Sequence, residues 1–301
     1  MKRFASLMVL LAAIFWGSNG IFVKLFESSG LSSIERTSLR CLIAVILETI
    51  IIFIYDRKQF KVAKEDLIWF ALAGIFGVFL FGTFYNMCIN RVGMGIAGVL
   101  IYLMPIMVML YSVVFQGEKF TLMKAGMLLL NLLGCALVSG IVSGGNFDLL
   151  GIFYGFITAF FYALNNIITA SRLKKYSVLT RVYYPGLFAC ICSLIYLTVT
   201  GRGTAVLNVV TSEPKYILIG IIWAFCCSIC SFFFFNASLN YLDVTRVSML
   251  STFEPVAAIL FGLFLFNERI DFYAVIGVVL VIVSLMLGEL KDPASDLREK
   301  R

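Results

Sequence analysis

The sequence has no histidine in 301 residues, and charged residues make up only 14% of it, where soluble domains average about 25%. Without histidine or an aspartate-rich cluster, no metal site and no cofactor are expected. The sequence also has no Walker A motif, which argues against ATP-driven pumping by this chain alone. Apolar residues, in contrast, form 61% of the chain.

A soluble fold of this size cannot hide so much apolar surface, so lipid must be the solvent. In lipid, only helices and closed barrels satisfy the backbone hydrogen bonds. The apolar runs are long and continuous, whereas barrel strands are short and alternating. The sequence therefore predicts an all-α integral membrane protein. Its ten transmembrane helices, each near the ~20 residues that a span needs, are expected at 4–26, 34–55, 67–89, 94–116, 121–143, 149–170, 178–200, 215–238, 243–266 and 271–289.

Basic residues are concentrated in alternate loops, notably at 57–64, at 172–175 and in the tail. The positive-inside rule then places both termini in the cytoplasm. We expect a multi-pass protein of the plasma membrane, or of the bacterial inner membrane, whose first helix is not a cleaved signal peptide. Its partners are expected to be lipid and a small-molecule substrate, with no nucleic acid, and the protein is expected to be a monomer or a weak dimer.

Residues 253–270, FEPVAAILFGLFLFNERI, match residues 103–120, LMPIMVMLYSVVFQGEKF, at a shift of 150. The polar and proline positions shared in this register are Asn86 with Asn236, Asn90 with Asn240, Pro105 with Pro255 and Glu118 with Glu268. A weaker match at a shift of 146 pairs Trp16 with Tyr162 and Asn19 with Asn165. The sequence thus predicts two homologous halves, 1–143 and 144–291, followed by a cytoplasmic tail at 292–301.

Each half is expected to contain five helices, and five is odd. The second half must then cross the membrane in the opposite sense, which makes an inverted-topology repeat. Inverted repeats are a transporter architecture in which the substrate site lies near the midplane and rocking alternates access to it.

The motif FWGSN at 15–19, the paired proline-to-glutamate segments and the short loops resemble the EamA-type drug/metabolite transporter superfamily. The resemblance covers nearly the whole chain. It implies ten helices, cytoplasmic termini and a central cavity lined by the first four helices of each half. Similar proteins mostly export amino acids and other metabolites, and some carry drugs or nucleotide sugars. The second copy of the motif reads FYALNN at 161–166, so the two halves are not expected to line the cavity equally.

Glu254 lies near the middle of an expected span, where an ionisable residue costs about 2.5–3.5 kcal/mol. Its repeat partner is Met104, so the repeat does not require an acid there. Two interpretations remain open: Glu254 binds substrate or a coupling proton, or it forms a static ion pair with Arg246 or Arg40.

Arg40 is the second charged candidate. Its planar guanidinium suits a carboxylate or phosphate group of a substrate, but it could equally extend to the membrane surface beside Arg36. Glu48, two turns further along the same helix, is expected to form a salt bridge between helices.

Aromatic and amide side chains complete the candidate cavity lining. They are Trp16, Asn19, Tyr162, Asn165, Asn166 and Tyr183. Three prolines are candidate hinges, because proline removes a backbone donor and bends helices. They are Pro105, Pro185 and Pro255.

These features favour a secondary transporter rather than an enzyme. We expect it to export small metabolites such as amino acids by alternating access, with or without a coupling proton. One alternative is a carrier or facilitator for phosphorylated or nucleotide-linked solutes. It would need more cations in the cavity than Arg40 and Arg246. Another is a membrane-embedded lipid-modifying enzyme. The lack of histidine argues against it.

Overall fold

The computed structural model describes residues 2–117, 121–138, 148–266 and 272–289, and within them all regular structure is helical. In chain order the helices are α1 (Lys2–Gly17), α2 (Asn19–Leu25), α3 (Ser33–Tyr55), α4 (Leu67–Gly74), α5 (Phe81–Ile101), α6 (Met104–Gln116), α7 (Leu122–Val138), α8 (Leu149–Ser171), α9 (Val178–Val199), α10 (Gly203–Ser212), α11 (Lys215–Ala224), α12 (Ser231–Ser238), α13 (Val244–Ser251), α14 (Glu254–Phe266) and α15 (Phe272–Glu289). Two π-helices, π1 (Ile75–Leu80) and π2 (Phe225–Cys230), join α4 to α5 and α11 to α12.

Seven helical stretches among the described residues are long and apolar enough to cross a membrane. Four shorter apolar helices accompany them, at Met104–Gln116, Ala125–Gly134, Gly203–Ser212 and Val275–Ser284. Large apolar side chains such as Phe4, Ile54 and Phe264 are exposed on the outside of the helices, as expected where lipid is the solvent. The all-helical membrane class is therefore confirmed, whereas the number of ten spans stays a prediction.

The helix boundaries repeat in the register that the sequence shows. The π-helix Phe225–Cys230 lies 150 residues after Ile75–Leu80, and α14 lies 150 residues after α6. α15 begins at Phe272, 150 residues after the start of α7. The two halves therefore share local structure down to a short and uncommon helix type. The domain limits at 143 and 291 stay predictions.

Several expected spans have different bounds in the structure. The span at 4–26 is divided because α1 ends at Gly17 and α2 begins at Asn19, and the span at 243–266 is divided because α13 ends at Ser251 and α14 begins at Glu254. The helical assignment of α5 runs through the boundary expected between 89 and 94, as far as Ile101. A further break comes at 102–103, with α6 starting at Met104. Glycine-rich sequence does not forbid a helix, because each glycine costs only about 1 kcal/mol.

The contacts that residues 81–104 make with α8 nonetheless show that the chain reverses its direction. In chain order they are Phe81 with Tyr162 (ring centroids 4.9 Å apart), Arg91 with Asp148 (2.6 Å) and Met104 with Asn166 (Sδ to Nδ2, 3.3 Å). The partner positions run from 162 to 148 and back to 166. The chain therefore descends along α8 and returns along it, as two antiparallel spans would.

The candidate hinge prolines occupy two kinds of position. Pro105 lies in the first turn of α6, where its missing N–H costs no helical hydrogen bond, so it starts a helix. Pro255 is the second residue of α14, and its side chain lies outside the described residues. Pro185 lies inside α9, which continues across it. A hinge role for these three prolines stays a prediction.

The short helix α10 was not expected from the sequence. It follows Gly201, whose φ of 67° closes the turn after α9. Its Val206 is buried in a cluster with Phe26 and Tyr216, so α10 lies over the ends of α2 and α11.

The helices pack in two bundles that mix the two halves. In the first bundle, α1 packs on α12 and α14, and α3 packs on α11. In the second, α8 packs on α5 and α6, and α9 packs on α4. The bundles meet where α3 packs on α9. The repeat relates the helices of the first bundle to those of the second. The cavity was expected between the two halves of the sequence. It lies instead between the two bundles, each of which contains helices of both halves.

Close packing of α4 on α9 depends on a glycine. A Cβ at Gly74 would lie 2.4 Å from the carbonyl oxygen of Pro185 and 2.8 Å from the Cβ of Phe188. Because the first contact is with backbone, the helices must separate if the glycine is replaced.

We expect Gly74→Ala to lower the free energy of unfolding by about 1–3 kcal/mol, the usual cost of overpacking. Thermal unfolding of the purified protein in detergent measures the change. Gly126→Ala is the matched control, since a Cβ there would meet nothing within 4 Å. Equal stability of the two variants would contradict the packing described for α4.

Candidate functional site

A cavity of about 260 Å³ lies between the two bundles. Its charged lining consists of Arg36, Arg40, Arg181, Glu48 and Glu254. Aromatic and amide side chains complete it, chiefly Trp16, Asn19, Phe81, Tyr85, Tyr162, Asn165, Trp223, Phe232 and Asn236. The cavity is therefore polar in places and carries charges of both signs, although an apolar protein surrounds it.

The tryptophan of the FWGSN motif forms an aromatic wall. The Trp16 ring packs edge-on against Phe232, at 5.2 Å between centroids, and against Tyr162, at 6.4 Å. The repeat partners Trp16 and Tyr162 thus meet across the cavity, one from each half.

The next residue of the motif lets α1 approach α14. A Cβ at Gly17 would lie 2.8 Å from the carbonyl oxygen of Glu254 and 2.7 Å from the Cβ of Ala257. Any larger residue would push these helices apart. Gly17 therefore helps set the position of Glu254 at the cavity.

The break after Gly17 turns polar groups inward. Ser18 donates its hydroxyl to the Phe15 carbonyl at 2.7 Å. Asn19 accepts a hydrogen bond from Trp223 Nε1 at 2.8 Å. The guanidinium of Arg40 lies 5.3 Å from the centre of the same Trp223 ring, within cation–π range. Asn19 and Arg40 are thus held by one tryptophan.

Both π-helices line the cavity, and each contacts one of the two repeat-related motifs: π1 contacts FYALNN at 161–166, and π2 contacts FWGSN at 15–19. In π1, a Cβ at Gly77 would lie 2.7 Å from Asn165 Oδ1, so only glycine fits beside Asn165. In π2, Cys227 donates its thiol to the Phe15 carbonyl at 3.0 Å and lies 3.5 Å from Ser18 Oγ. π-Helical turns are frequent at functional sites.

Glu254 is partly buried and lines the cavity together with Tyr85 and Tyr162. In the part of the chain that the structure describes, no ion pair joins Glu254 to Arg40 or to Arg246. Among the described residues, the Glu254 carboxylate therefore lines the cavity without a fixed cationic partner.

Glu48 is a second acid at the cavity, and the sequence reasoning gave it only a salt bridge. Its residue is 6% exposed, and Oε2 has no hydrogen-bond partner among the described residues. A Cβ at Gly186 would lie 3.3 Å from Oε2, so this glycine leaves room for the carboxylate. The signal available in the sequence was an acid on the same helix face as Arg40.

Arg181 is a charged cavity residue that the sequence reasoning missed. It is 2% exposed, and Nη2 donates to Asn240 Oδ1 at 2.7 Å. It is the fourth residue of the span expected at 178–200, a position usually assigned to the membrane surface. The available signal was an arginine followed by no other charged residue before Arg202.

Two predicted candidates lie away from the cavity lining. Asn166 is fully buried and donates Nδ2 to the Met104 sulfur at 3.3 Å. Tyr183 packs on Val45 and Ile52 in a separate cluster. Pro185 lines the cavity, whereas Pro105 does not. The side chains of Asn86 and Asn90, and all of Glu118 and Glu268, lie outside the described residues.

The described residues contain no cluster of three or more Cys, Asp or Glu side chains that could hold a metal ion. What the site offers is hydrogen bonding, ion pairing and aromatic contact with a solute.

An all-helical membrane protein with a charged cavity between repeated bundles has the architecture of a transporter. Comparison with known proteins identifies the family, because the EamA-like transporter family matches the chain twice, at 3–140 and at 149–288. The chain belongs to the EamA-like transporter family and contains two EamA repeats.

Curated relatives are named as transporters rather than as enzymes. A protein of Clostridium kluyveri named "Uncharacterized transporter" is 22% identical, over 97% of this chain and 96% of its own length. An "Uncharacterized inner membrane transporter" of Salmonella typhimurium is 24% identical, over 96% of each chain. A "Probable amino-acid metabolite efflux pump" of Escherichia coli is 24% identical, over 96% of this chain and 95% of its own.

A protein crystal structure has the same fold, with a TM-score of 0.76 over 96% of this chain and 98% of the other. The sequences are 16% identical. This similarity shows the fold alone.

The Asn19–Trp223 hydrogen bond is measurable by a double-mutant cycle. We expect Asn19→Ala to destabilise the protein because it leaves a buried indole N–H without an acceptor. In the Trp223→Phe background, which lacks that N–H, the same change should cost less. The coupling energy, from unfolding in detergent, should fall at about 0.6–1.7 kcal/mol, the range for hydrogen bonds between membrane helices. Strictly additive effects would contradict the bond.

Proposed function

We propose that the protein is a secondary transporter that exports small zwitterionic metabolites, amino acids above all, by alternating access at the central cavity. The observation that carries the proposal is the cavity's mixed charge: Glu48 and Glu254 share one space with Arg36, Arg40 and Arg181. A zwitterion is the simplest solute that satisfies charges of both signs at once.

The residues suggest how an amino acid would be held. Arg40 offers a planar fork for the α-carboxylate. Glu254 offers a carboxylate for the ammonium group. Trp16 and Tyr162 present ring faces and edges that suit an apolar or aromatic side chain.

The size of the cavity supports a small solute. Pockets for drug-sized ligands have volumes of about 300–1,000 Å³, and this cavity has about 260 Å³. A single amino acid suits that volume better than a nucleotide-linked sugar. The Escherichia coli relative named as a probable amino-acid metabolite efflux pump supports the same solute class.

The remaining parts of the proposal follow from the repeat and from the distribution of basic residues. The two halves are placed in opposite orientations across a plasma or bacterial inner membrane, with both termini in the cytoplasm and the chain acting as a monomer or weak dimer. Access alternates as the two bundles move about the cavity. A proton carried by Glu254 is the proposed coupling ion.

A second candidate is a carrier for phosphorylated solutes. The observation that favours it is the cavity's three arginines, Arg36, Arg40 and Arg181, against two glutamates. This carrier was expected to need more cations in the cavity than Arg40 and Arg246, and Arg36 and Arg181 line the cavity beside Arg40.

We expect Glu254→Gln to abolish or strongly reduce transport, because glutamine keeps the size and hydrogen bonding of the side chain but cannot ionise. The measurement is uptake of each radiolabelled amino acid, and of phosphorylated sugars in a parallel arm, into proteoliposomes. If Glu254 carries the coupled proton, any residual exchange should also lose its pH dependence.

Glu65→Gln, the same change at an exposed position outside the cavity, is the matched control and should transport as the parent does. Elution volume and thermal unfolding show that both variants are folded. Parental rates and pH dependence in Glu254→Gln would make this carboxylate structural. Saturable uptake of phosphorylated sugars alone would replace amino acids with the second candidate.

A further inference from the structure

Arg181 is a buried cation at one end of the cavity. It lines the cavity and is 2% exposed. Among the residues that the structure describes, no ion pair includes it. Its Nη2 donates to Asn240 Oδ1 at 2.7 Å, whereas Nε and Nη1 have no hydrogen-bond partner within the described part of the chain. A buried charge without a counterion is costly, so an anion bound at this position would stabilise the protein.

The first turns of α9 hold Arg181 in place. Thr180 Oγ1 donates to the Gln59 carbonyl at 2.9 Å. Tyr184 donates its hydroxyl to the Phe60 carbonyl at 2.8 Å. These bonds fix the backbone on both sides of Arg181, and the hydrogen bond from Nη2 fixes its guanidinium. The donors that remain are therefore preorganised, which lowers the entropy cost of binding a ligand.

The helices α3 and α9 run antiparallel along one wall of the cavity. Leu39, near the start of α3, belongs to the same buried cluster as Leu197, near the end of α9. At the other end of the pair, Thr180 of α9 bonds to Gln59, which follows α3. The start of each helix thus lies beside the end of the other.

This arrangement separates Arg181 from Arg40. Glu48 of α3 lies beside Gly186 of α9, where a Cβ would be 3.3 Å from Glu48 Oε2. Arg40 precedes Glu48 by eight residues, and Arg181 precedes Gly186 by five. Because the helices are antiparallel, the two offsets add to about 20 Å along the helices, at 1.5 Å per residue. The two arginines therefore lie at opposite ends of this wall, with Glu48 between them.

The charged residues along the wall alternate in sign. In order they are Arg40, Glu48 and Arg181, all of which line the cavity. An amino dicarboxylate has the complementary order, with an ammonium group between two carboxylates. A neutral zwitterion would leave Arg181 without a counterion, and a phosphate group would bring about 1.5 to 2 negative charges to a single guanidinium. A carboxylate carries one charge and fits the planar guanidinium.

We propose that Arg181 is a second anion-binding subsite, which takes the side-chain carboxylate of an amino dicarboxylate such as glutamate. The inference rests on the proposed function, in which Arg40 takes the α-carboxylate and Glu254 the ammonium group. Arg181 then selects among amino acids by the charge at the far end of the side chain. The preferred solute is an amino acid with an acidic side chain.

The experiment compares glutamate with glutamine, two solutes of nearly equal shape that differ in side-chain charge. Binding to the purified full-length protein is measured at neutral pH by quenching of tryptophan fluorescence, because Trp16 and Trp223 line the cavity. The buffer is free of chloride, so that chloride does not compete at Arg181. We expect the parent to bind glutamate about tenfold more tightly than glutamine, because hydrogen bonds to charged groups are the stronger ones.

Arg181→Gln should remove this preference by weakening glutamate binding about tenfold, because the charged partner of the side-chain carboxylate is gone. Glutamine binding should change much less, which shows that the cavity is still folded. Arg181→Lys should keep part of the preference, since lysine keeps the charge but not the planar fork. Arg57→Gln, the same change at an exposed arginine outside the cavity, should alter neither dissociation constant.

Equal affinity of the parent for the two solutes, or no binding of either, would overturn the proposal. A preference for glutamate that survives Arg181→Gln would overturn it too. If Arg181→Gln binds neither solute, Arg181→Lys decides, and a ratio of affinities equal to that of the parent would count against the subsite.

The subsite and the proposed function fail in different ways, because binding needs no transport. A preference for glutamate that depends on Arg181, without transport of any amino acid into proteoliposomes, would reject the proposed exporter and keep the subsite. Transport of glutamine and glutamate at equal rates and affinities would keep the exporter and reject the subsite.

Discussion

Lipid does not solvate charge, and the rest of the structure depends on that constraint. Arginines and glutamates inside an apolar helical protein must face a cavity or a partner, and here five of them face one cavity of about 260 Å³. The surrounding helices allow this by breaking or loosening where they pass the cavity. α1 stops at Gly17, and α4 and α11 continue as π-helices. The irregular backbone lies where it lines a cavity, which membranes tolerate.

The two EamA repeats share one frame of helix positions and differ in the residues that line the cavity. Their π-helices and the starts of α6 and α14 coincide in register. Within that frame, Glu254 replaces Met104, and Trp16 faces its own repeat partner Tyr162. Under the proposed alternating access, this symmetric frame makes the two access states structurally equivalent. The proposed zwitterionic solute would then keep one binding mode in both states, because the asymmetric lining distinguishes its ammonium end from its carboxylate end.

The class of the fold and the repeat were predictable, because apolar length and matching residues are properties of the sequence itself. The position of Glu254 at the cavity was predictable too, since an acid in the middle of a span must face a cavity or a partner. Arg181 was not, because whether a residue near a helix end faces water or a cavity depends on how the helix is rotated, and packing of α9 against α3 and α4 sets that rotation. The same limit applies to the bundles, since local sequence does not say that each mixes helices of both halves.

The central claim is that one cavity serves both faces of the membrane in turn. It is tested most directly by exchange: proteoliposomes are loaded with an unlabelled amino acid that the protein transports, and uptake of its radiolabelled form is timed against empty vesicles. The account predicts that loading accelerates uptake and that the rate saturates with external concentration, because the loaded site returns faster than the empty one. Uptake that does not saturate and is indifferent to loading would contradict it, because the cavity would then be part of a continuous pore.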